Sequence, residues 1–227
     1  MTARGLFVTG TDTGVGKTQV AVALIHALRA QGLRVAAMKP VSAGNAPGGL
    51  NEDVVALLQA ANVVATVRDV NPYAFADPIA PHIAAQQAGV RIELTVIAEA
   101  YSRLAAAADV VVVEGAGGWR VPLNEREDIA DLAQRLGLPV VLVVGLRLGC
   151  LNHALLTAES IAHRQLPWAG WVANHVDPAM ACQAENVAAL YARLPGPCLG
   201  VQAHLQQGVS SADTLQWLTL PDEFSIY

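Results

Sequence analysis

From Leu6 to Ala30 the chain prescribes a strand, a glycine loop and a helix in immediate succession. Leu6-Phe7-Val8-Thr9 is a short apolar run, as expected of a buried strand. Gly10-Thr11-Asp12-Thr13-Gly14-Val15-Gly16-Lys17-Thr18 follows it, and then Val20, Ala21, Leu24, Ile25 and Leu28 recur at helical spacing, with Gly32 just past the last turn. Small residues in such a loop let successive backbone N–H groups point inward, and the start of the helix adds its positive end. The product is a cradle for phosphate oxygens. Lys17 would reach the β- and γ-phosphates of a nucleotide and the Thr18 hydroxyl would bind Mg²⁺. In one place the loop departs from the usual spacing: the position five residues before Gly16 is Thr11, and the available glycine, Gly10, lies one residue earlier.

The basic residues sharpen this reading. The chain has two lysines, Lys17 and Lys39, against twelve arginines, and both lysines sit in loops that follow expected strands. An ammonium is a compact point charge, whereas guanidinium is a planar fork, so a lysine suits close approach to a phosphate. The arginines are scattered without a run and the net charge is -5, which argues against a nucleic-acid or membrane surface. Hydrophobic residues make up 53% and charged residues 15% of 227 residues, enough for a packed core in one α/β domain spanning 1–227. Cys150, Cys182 and Cys198 are odd in number and widely spaced, so neither a disulfide framework nor a zinc site is expected; a soluble protein of the reducing cytosol is. Leu6–Thr9 is too short for a signal-peptide core, and runs such as Leu138–Val144 fall far below membrane-spanning length.

Strands and helices alternate along the rest. Strands are expected at 34–38, 110–113, 139–144, 168–173 and 198–201, and helices at 52–61, 82–88, 93–107, 128–136, 150–163 and 178–194. Residues 42–51 read as a loop with Asn51 capping the next helix, and Asn71–Pro81, with three prolines, as a surface excursion. Such alternation gives a doubly wound, mostly parallel sheet with helices on both faces, whose ligands gather at the carboxyl ends of the strands. Lys17, Lys39, Glu114, Cys150 and Asn174 all follow expected strands, and a topology of this kind is expected to bring them to one rim.

Glu114 ends an apolar strand and is the first candidate for a Mg²⁺ carboxylate; Asp53 is the second, unless it is only a helix N-terminal charge favoured by the dipole. Gly115-Ala116-Gly117-Gly118 permits close backbone approach to a ligand, or simply a tight turn. Asn174 could read adenine or cap the following helix. The histidines lack metal-ligand spacing and receive no catalytic role.

Taken together, these segments resemble one family. Gly10-Thr11-Asp12-Thr13-x-Val15-Gly16-Lys17-Thr18, Lys39-Pro40-Val41, Asn71-Pro72-Tyr73-x-Phe75-Ala76-x-Pro78-x-x-Pro81-His82, Val113-Glu114-Gly115-Ala116-Gly117-Gly118-Trp119, Gly149-Cys150-Leu151-Asn152-His153 and Gly170-Trp171-Val172-Ala173-Asn174 resemble dethiobiotin synthetase, in that family's order, from residue 6 to about 205. The resemblance implies a P-loop NTPase-like fold and an ATP- and Mg²⁺-dependent ring closure. Such an enzyme carboxylates 7,8-diaminononanoate (diaminopelargonate) with CO₂ or bicarbonate, phosphorylates the carbamate and closes the cyclic urea of dethiobiotin. It implies catalytic roles for Lys39, Lys17 and Thr13. Nucleotide contacts would come from Gly14, Val15, Gly16, Lys17, Thr18, Gln19, Asp53, Glu114, Gly115, Ala116, Gly117, Asn174 and His175, and metal ligands from Thr18, Asp53 and Glu114. Substrate would meet Thr13, Lys39, Ser42, Ala43 and Gly118, with Cys150, Leu151 and Asn152 holding its carboxylate across a homodimer interface. Two departures from the family stand out: Ala43 occupies the place where its Lys-Pro-Val-x-Ser-Gly form has Ser, and near Asn186 some relatives carry Tyr. The alternatives are a switch-type P-loop ATPase that positions cargo, which carries an extra lysine early in the loop, and a cobyrinate-type amidoligase, which generally adds a glutaminase domain.

Overall fold

The computed structural model describes residues 4–45, 49–204 and 217–224; residues 46–48 of the expected 42–51 loop lie outside them. β1 (Arg4–Gly10), β2 (Val35–Met38), β5 (Val110–Glu114), β6 (Val140–Gly145), β7 (Trp168–Asn174) and β8 (Cys198–Gln202) form a six-stranded sheet in the order β2-β5-β1-β6-β7-β8. Every ladder in it is parallel.

Alternation along each strand feeds two apolar layers. Val110 and Val112 of β5, with Leu6 and Val8 of β1, pack beneath α1 (Lys17–Ala30) and α2 (Glu52–Ala60), against Val20, Leu24, Ile25, Leu28 and Leu57. Val111 and Val113, with Phe7, face the opposite way, onto Ile97, Ala100 and Leu104 of α5 (Leu94–Ala107) and Ile129 and Leu132 of α6 (Ile129–Leu136). At the far end Leu142, Val144 and Trp171 meet Ala154 and Ala158 of α7 (Cys150–His163) and Leu190 of α8 (Gln183–Arg193). A strand covered on both faces cannot carry a polar stripe, which is why β5 reads as four consecutive valines. This is the P-loop NTPase-like doubly wound arrangement expected. From β1 the chain winds outward to β2 on one side and later to β6, β7 and β8 on the other, so the carboxyl end of β1 opens onto a crevice at the switch point.

The structure differs from the sequence expectation in three places. The three-proline stretch contains a short strand, β4 (Tyr73–Phe75), paired in parallel with β3 (Val41–Ala43) directly after Lys39. A one-turn helix, α3 (Val67–Val70), capped by Thr66, precedes it, and α4 (Pro81–Gln87) follows it. α8 starts at Gln183 rather than near 178; residues 178–179 and 181–182 are turns, and Cys182 takes up a left-handed conformation just before the first helical turn. A single 3-10 turn at Asp222–Phe224 closes the described chain under the α1 layer.

Candidate active site

The glycine loop wraps the start of α1. Gly16 is left-handed (φ 88°), and no side chain caps the helix, so the first N–H groups of α1 face the cavity beside it. A Cβ on Gly16 would stand 2.1 Å from Asn174 Nδ2, so a larger residue would have to displace that amide as well as adopt a left-handed backbone. The departure at Thr11 has a structural reason. Its N–H donates to Val143 O (2.9 Å) and its Oγ1 accepts from Gly145 N (3.3 Å), stapling the loop to the end of β6 where a glycine could offer only the first bond. Asp12 adds a second tie, accepting from Thr13 N (2.7 Å) and pairing with Arg147.

Lys17 is 6% exposed and its Nζ donates to Asp12 O (2.9 Å). Burial and repulsion from Lys39 bring its ammonium down to about 8, against partial opposition from Glu114, Asp53 and Asp12. Lys39, at the end of β2, is 5% exposed and donates to Asp53 Oδ2 (2.8 Å) and Glu114 Oε1 (2.5 Å). Burial alone would depress it, but the charges of Glu114 and Asp53 and their hydrogen bonds outweigh that and hold it above its ordinary value. For Asp53 burial pushes upward, while the charge and hydrogen bond of Lys39 and the Thr18 hydroxyl carry it below the usual carboxylate range. Asn51 caps α2 as expected, accepting from Asp53 N (3.0 Å) and so fixing where Asp53 leaves the helix.

The Thr18 hydroxyl lies 2.8 Å from Asp53 Oδ1 and 2.9 Å from Glu114 Oε1. One hydroxyl has one proton, so it can serve only one of these carboxylates at a time. Glu114 is 1% exposed, and its Oε2 is buried without a partner. A buried carboxylate oxygen left over beside a hydroxyl and a second carboxylate is the oxygen donor set that Mg²⁺ accepts, with waters and phosphate completing its shell. Among the described residues no group of three or more His, Cys, Asp or Glu could hold a metal ion; the oxygens gathered at this rim are one hydroxyl and two carboxylates.

Two adjoining cavities converge on these groups. One, of about 470 Å³, is lined by Gly14, Gly16, Lys17, Thr18, Gln19 and Glu114 among others; the second, of about 450 Å³, by Val41, Ser42, Ala43, Pro78, Ala116 and Val121. Thr13, Lys39, Asp53 and Gly117 border both. The remaining expected residues lie elsewhere. Val15 is buried against Gly145, and Gly115 against Phe7 and Ile129. Gly118 borders a depression with Trp119 and Leu156, and His175 one with Gln183 and His204. Asn174 ends β7 and donates from Nδ2 to Val15 O (2.9 Å); as α8 begins nine residues later, it does not cap that helix. Cys150 is buried and donates its N–H to Arg147 O (3.0 Å), while Leu151 and Asn152 lie outside both cavities, next to Leu148, which is 97% exposed.

Sequence reading missed Glu52, Pro78 and Val121 as lining residues, and Asn71, whose buried amide holds Lys39's carbonyl (2.6 Å). The only signal for Asn71 was its place in an Asn-Pro-Tyr segment.

A family model described as an AAA domain matches residues 4–207. Among curated proteins, the ATP-dependent dethiobiotin synthetase BioD of Nitrosospira multiformis is 56% identical over 198 residues, 87% of each chain. Those of Pseudomonas aeruginosa strain UCBPP-PA14 (53%, covering 91% of this chain and 92% of the relative) and Aromatoleum aromaticum (51%, 96% and 98%) are similar too. Solved structures give the fold at lower identity. The MinD cell division protein of Aquifex aeolicus superimposes with a TM-score of 0.58 at 14% identity, over 94% of this chain and 87% of that one. The GDP complex of the 54 kDa signal recognition particle protein of Aeropyrum pernix gives 0.54 at 16%, over 95% and 46%. Fold likeness at that level does not choose among activities, but identity above one half along nearly the whole chain does. The chain belongs to the ATP-dependent dethiobiotin synthetase family.

Proposed function

We propose that this protein closes a cyclic urea on 7,8-diaminononanoate, consuming CO₂ and ATP and releasing dethiobiotin, ADP and phosphate, as a cytoplasmic homodimer. The observation that carries the reading is the pair of cavities sharing Lys39. One is bordered by a phosphate cradle and the other by apolar and small side chains, and a buried ammonium stands where their contents would meet.

The reaction has three steps. One amine of the substrate adds CO₂ and loses a proton, giving a carbamate. A carbamate oxygen attacks the γ-phosphorus of ATP, and ADP leaves. The second amine then attacks the carbonyl of the mixed anhydride, expels phosphate and loses its proton. The difficult encounter is the second step, where an anion approaches an anion. Two unit charges 4 Å apart repel by about 4 kcal/mol at an effective permittivity of about 20. Phosphoryl transfer needs little else from a protein than positioning and charge stabilisation. Lys17 reaches the β- and γ-phosphates by leaving Asp12's carbonyl. Lys39, released from Asp53 and Glu114, turns to the carbamate and the transferring phosphoryl group, with the Thr13 hydroxyl beside them. Thr18, Asp53 and Glu114 would hold Mg²⁺, which when bound supplies positive charge at the phosphates. The second cavity takes the alkyl chain of the substrate. The N–H groups of Leu151 and Asn152, at the uncapped start of α7 beside exposed Leu148, are offered to the substrate's carboxylate in the neighbouring copy.

The test is an omission series. Phosphate release from MgATP should require both the diamine and bicarbonate, with dethiobiotin formed one for one. Release that proceeds without the diamine would instead assign the chain to the switch-type ATPases.

A further inference from the structure

Lys39's backbone is held by a segment the reaction does not use. Its N–H donates to Val70 O (2.8 Å), the following residue is Pro40 with no N–H, and Pro40 O accepts from Tyr73 N (3.2 Å). Its carbonyl accepts from Asn71 Nδ2 at 2.6 Å. The same amide donates to Tyr73 O (3.2 Å), and its Oδ1 accepts from Ser42 Oγ (2.9 Å). Ser42 Oγ also lies 3.1 Å from Asn45 Oδ1. Asn71 is 6% exposed and borders neither cavity.

One enclosed side chain therefore ties three things: the peptide that carries Lys39, the β3 residue Ser42 at the wall of the second cavity, and the β4 strand behind it. The requirements are specific. The site needs two N–H hydrogens on one side and an acceptor on the other, in a side chain short enough to sit between residues 39 and 73. Aspartate lacks the donor, leucine lacks both, and glutamine is a methylene longer. A buried amide with its donors and acceptor engaged is stiff, because leaving any of them unpaired is costly.

We propose that Asn71 is a positioning residue for the phosphorylation step: it acts through Lys39, fixing the backbone from which that ammonium reaches the reacting phosphoryl group. This rests on the role given to Lys39 above. It also means that the Ser42 hydroxyl is engaged in holding Lys39's loop rather than offered to substrate.

The test is a double-mutant cycle on the purified protein, reading kcat for phosphate release and the affinity for a non-hydrolysable ATP analogue. Asn71→Ala should lower kcat about ten- to a hundredfold, since a displacement near 1 Å has that effect. Its affinity for the analogue should stay within about twofold. In a Lys39→Ala background the same substitution should change residual kcat by less than about twofold, because its effect is already spent. A residue that only supports the local fold would give losses that multiply, and that result overturns the proposal while leaving Lys39's role standing. Unchanged turnover in Lys39→Ala alone would overturn both. If Asn71→Ala does not fold, Asn71→Asp carries the test, as it keeps the size and the acceptor for Ser42 but cannot donate to Lys39's carbonyl. Wild-type turnover in that variant overturns the proposal.

Discussion

Breaking the Lys39–Glu114 pair should cost more than removing it. The two charges are 2.5 Å apart, Glu114 is 1% exposed and the Lys39 side chain 6%. At an effective permittivity of about 20 their attraction is roughly 7 kcal/mol, against several kcal/mol of lost hydration for each ion. The net value of the pair is therefore small, while stranding one member costs about 3–5 kcal/mol. Asp53 Oδ2, 2.8 Å from the same ammonium, softens the stranding, but its side chain is 42% exposed and its hold is screened. Glu114→Gln is thus expected to lose about 2–4 kcal/mol of unfolding free energy, and Lys39→Met a similar amount by leaving Glu114's carboxylate buried. The double variant should lie within about 1 kcal/mol of the parent, a coupling of at least about 3 kcal/mol. The assay is urea unfolding without nucleotide or Mg²⁺, so that ligand linkage does not enter, with denaturant slopes checked for constancy. Single losses that simply add, within about 0.5 kcal/mol, would show that the two groups do not share one buried site. The double variant should be stable and inactive, which separates folding from chemistry.

Lys39→Ala and Lys17→Ala are expected to fail in different ways: the first in kcat with nucleotide affinity nearly kept, the second in nucleotide affinity itself. Equal affinities in parent and Lys17→Ala, read by calorimetry, would contradict the phosphate cradle. Gly16→Ala should abolish nucleotide binding and lower stability by about 2–3 kcal/mol, from left-handed strain and loss of the Asn174–Val15 bond. Adding Asn174→Ala should relieve the clash and not the strain, so a full rescue would count against the geometry. Burial, and then the nearby Arg29, hold His26 below its ordinary 6.5. The unfolded chain therefore binds the proton first, and stability should decline as pH falls through 6.5 towards the lowered value. His26→Gln should flatten that slope in urea midpoints taken across the range, and an unchanged slope would remove His26 from the acid response.

The sheet was legible because β5 and β6 are almost wholly apolar, and because β1, β5 and β7 end in Gly10, Glu114 and Asn174 while Lys39 directly follows β2. The glycine loop was legible because it is built from consecutive residues, Gly10 to Thr18. The β3–β4 ribbon was not. Tyr73–Phe75 is three residues long between prolines, and its pairing with Val41–Ala43 is a tertiary fact that no local period announces. Nor was the arrangement around Lys39, because Glu114, Asp53 and Asn71 reach it from three separate segments. A motif names the lysine but says nothing of what holds it. Pro78 and Val121 line the second cavity by virtue of shape alone, and an apolar wall has no sequence signature beyond being apolar.

Catalysis turns on where Lys39's ammonium goes when the reactants arrive. A crystal structure with a non-hydrolysable ATP analogue, Mg²⁺ and the diamine bound measures this directly. Lys39 Nζ should have left Asp53 and Glu114 and lie within hydrogen-bonding distance of the terminal phosphoryl group, with Thr18, Asp53 and Glu114 around the metal. An ammonium still bound to the two carboxylates, with both ligands in place, would contradict the mechanism.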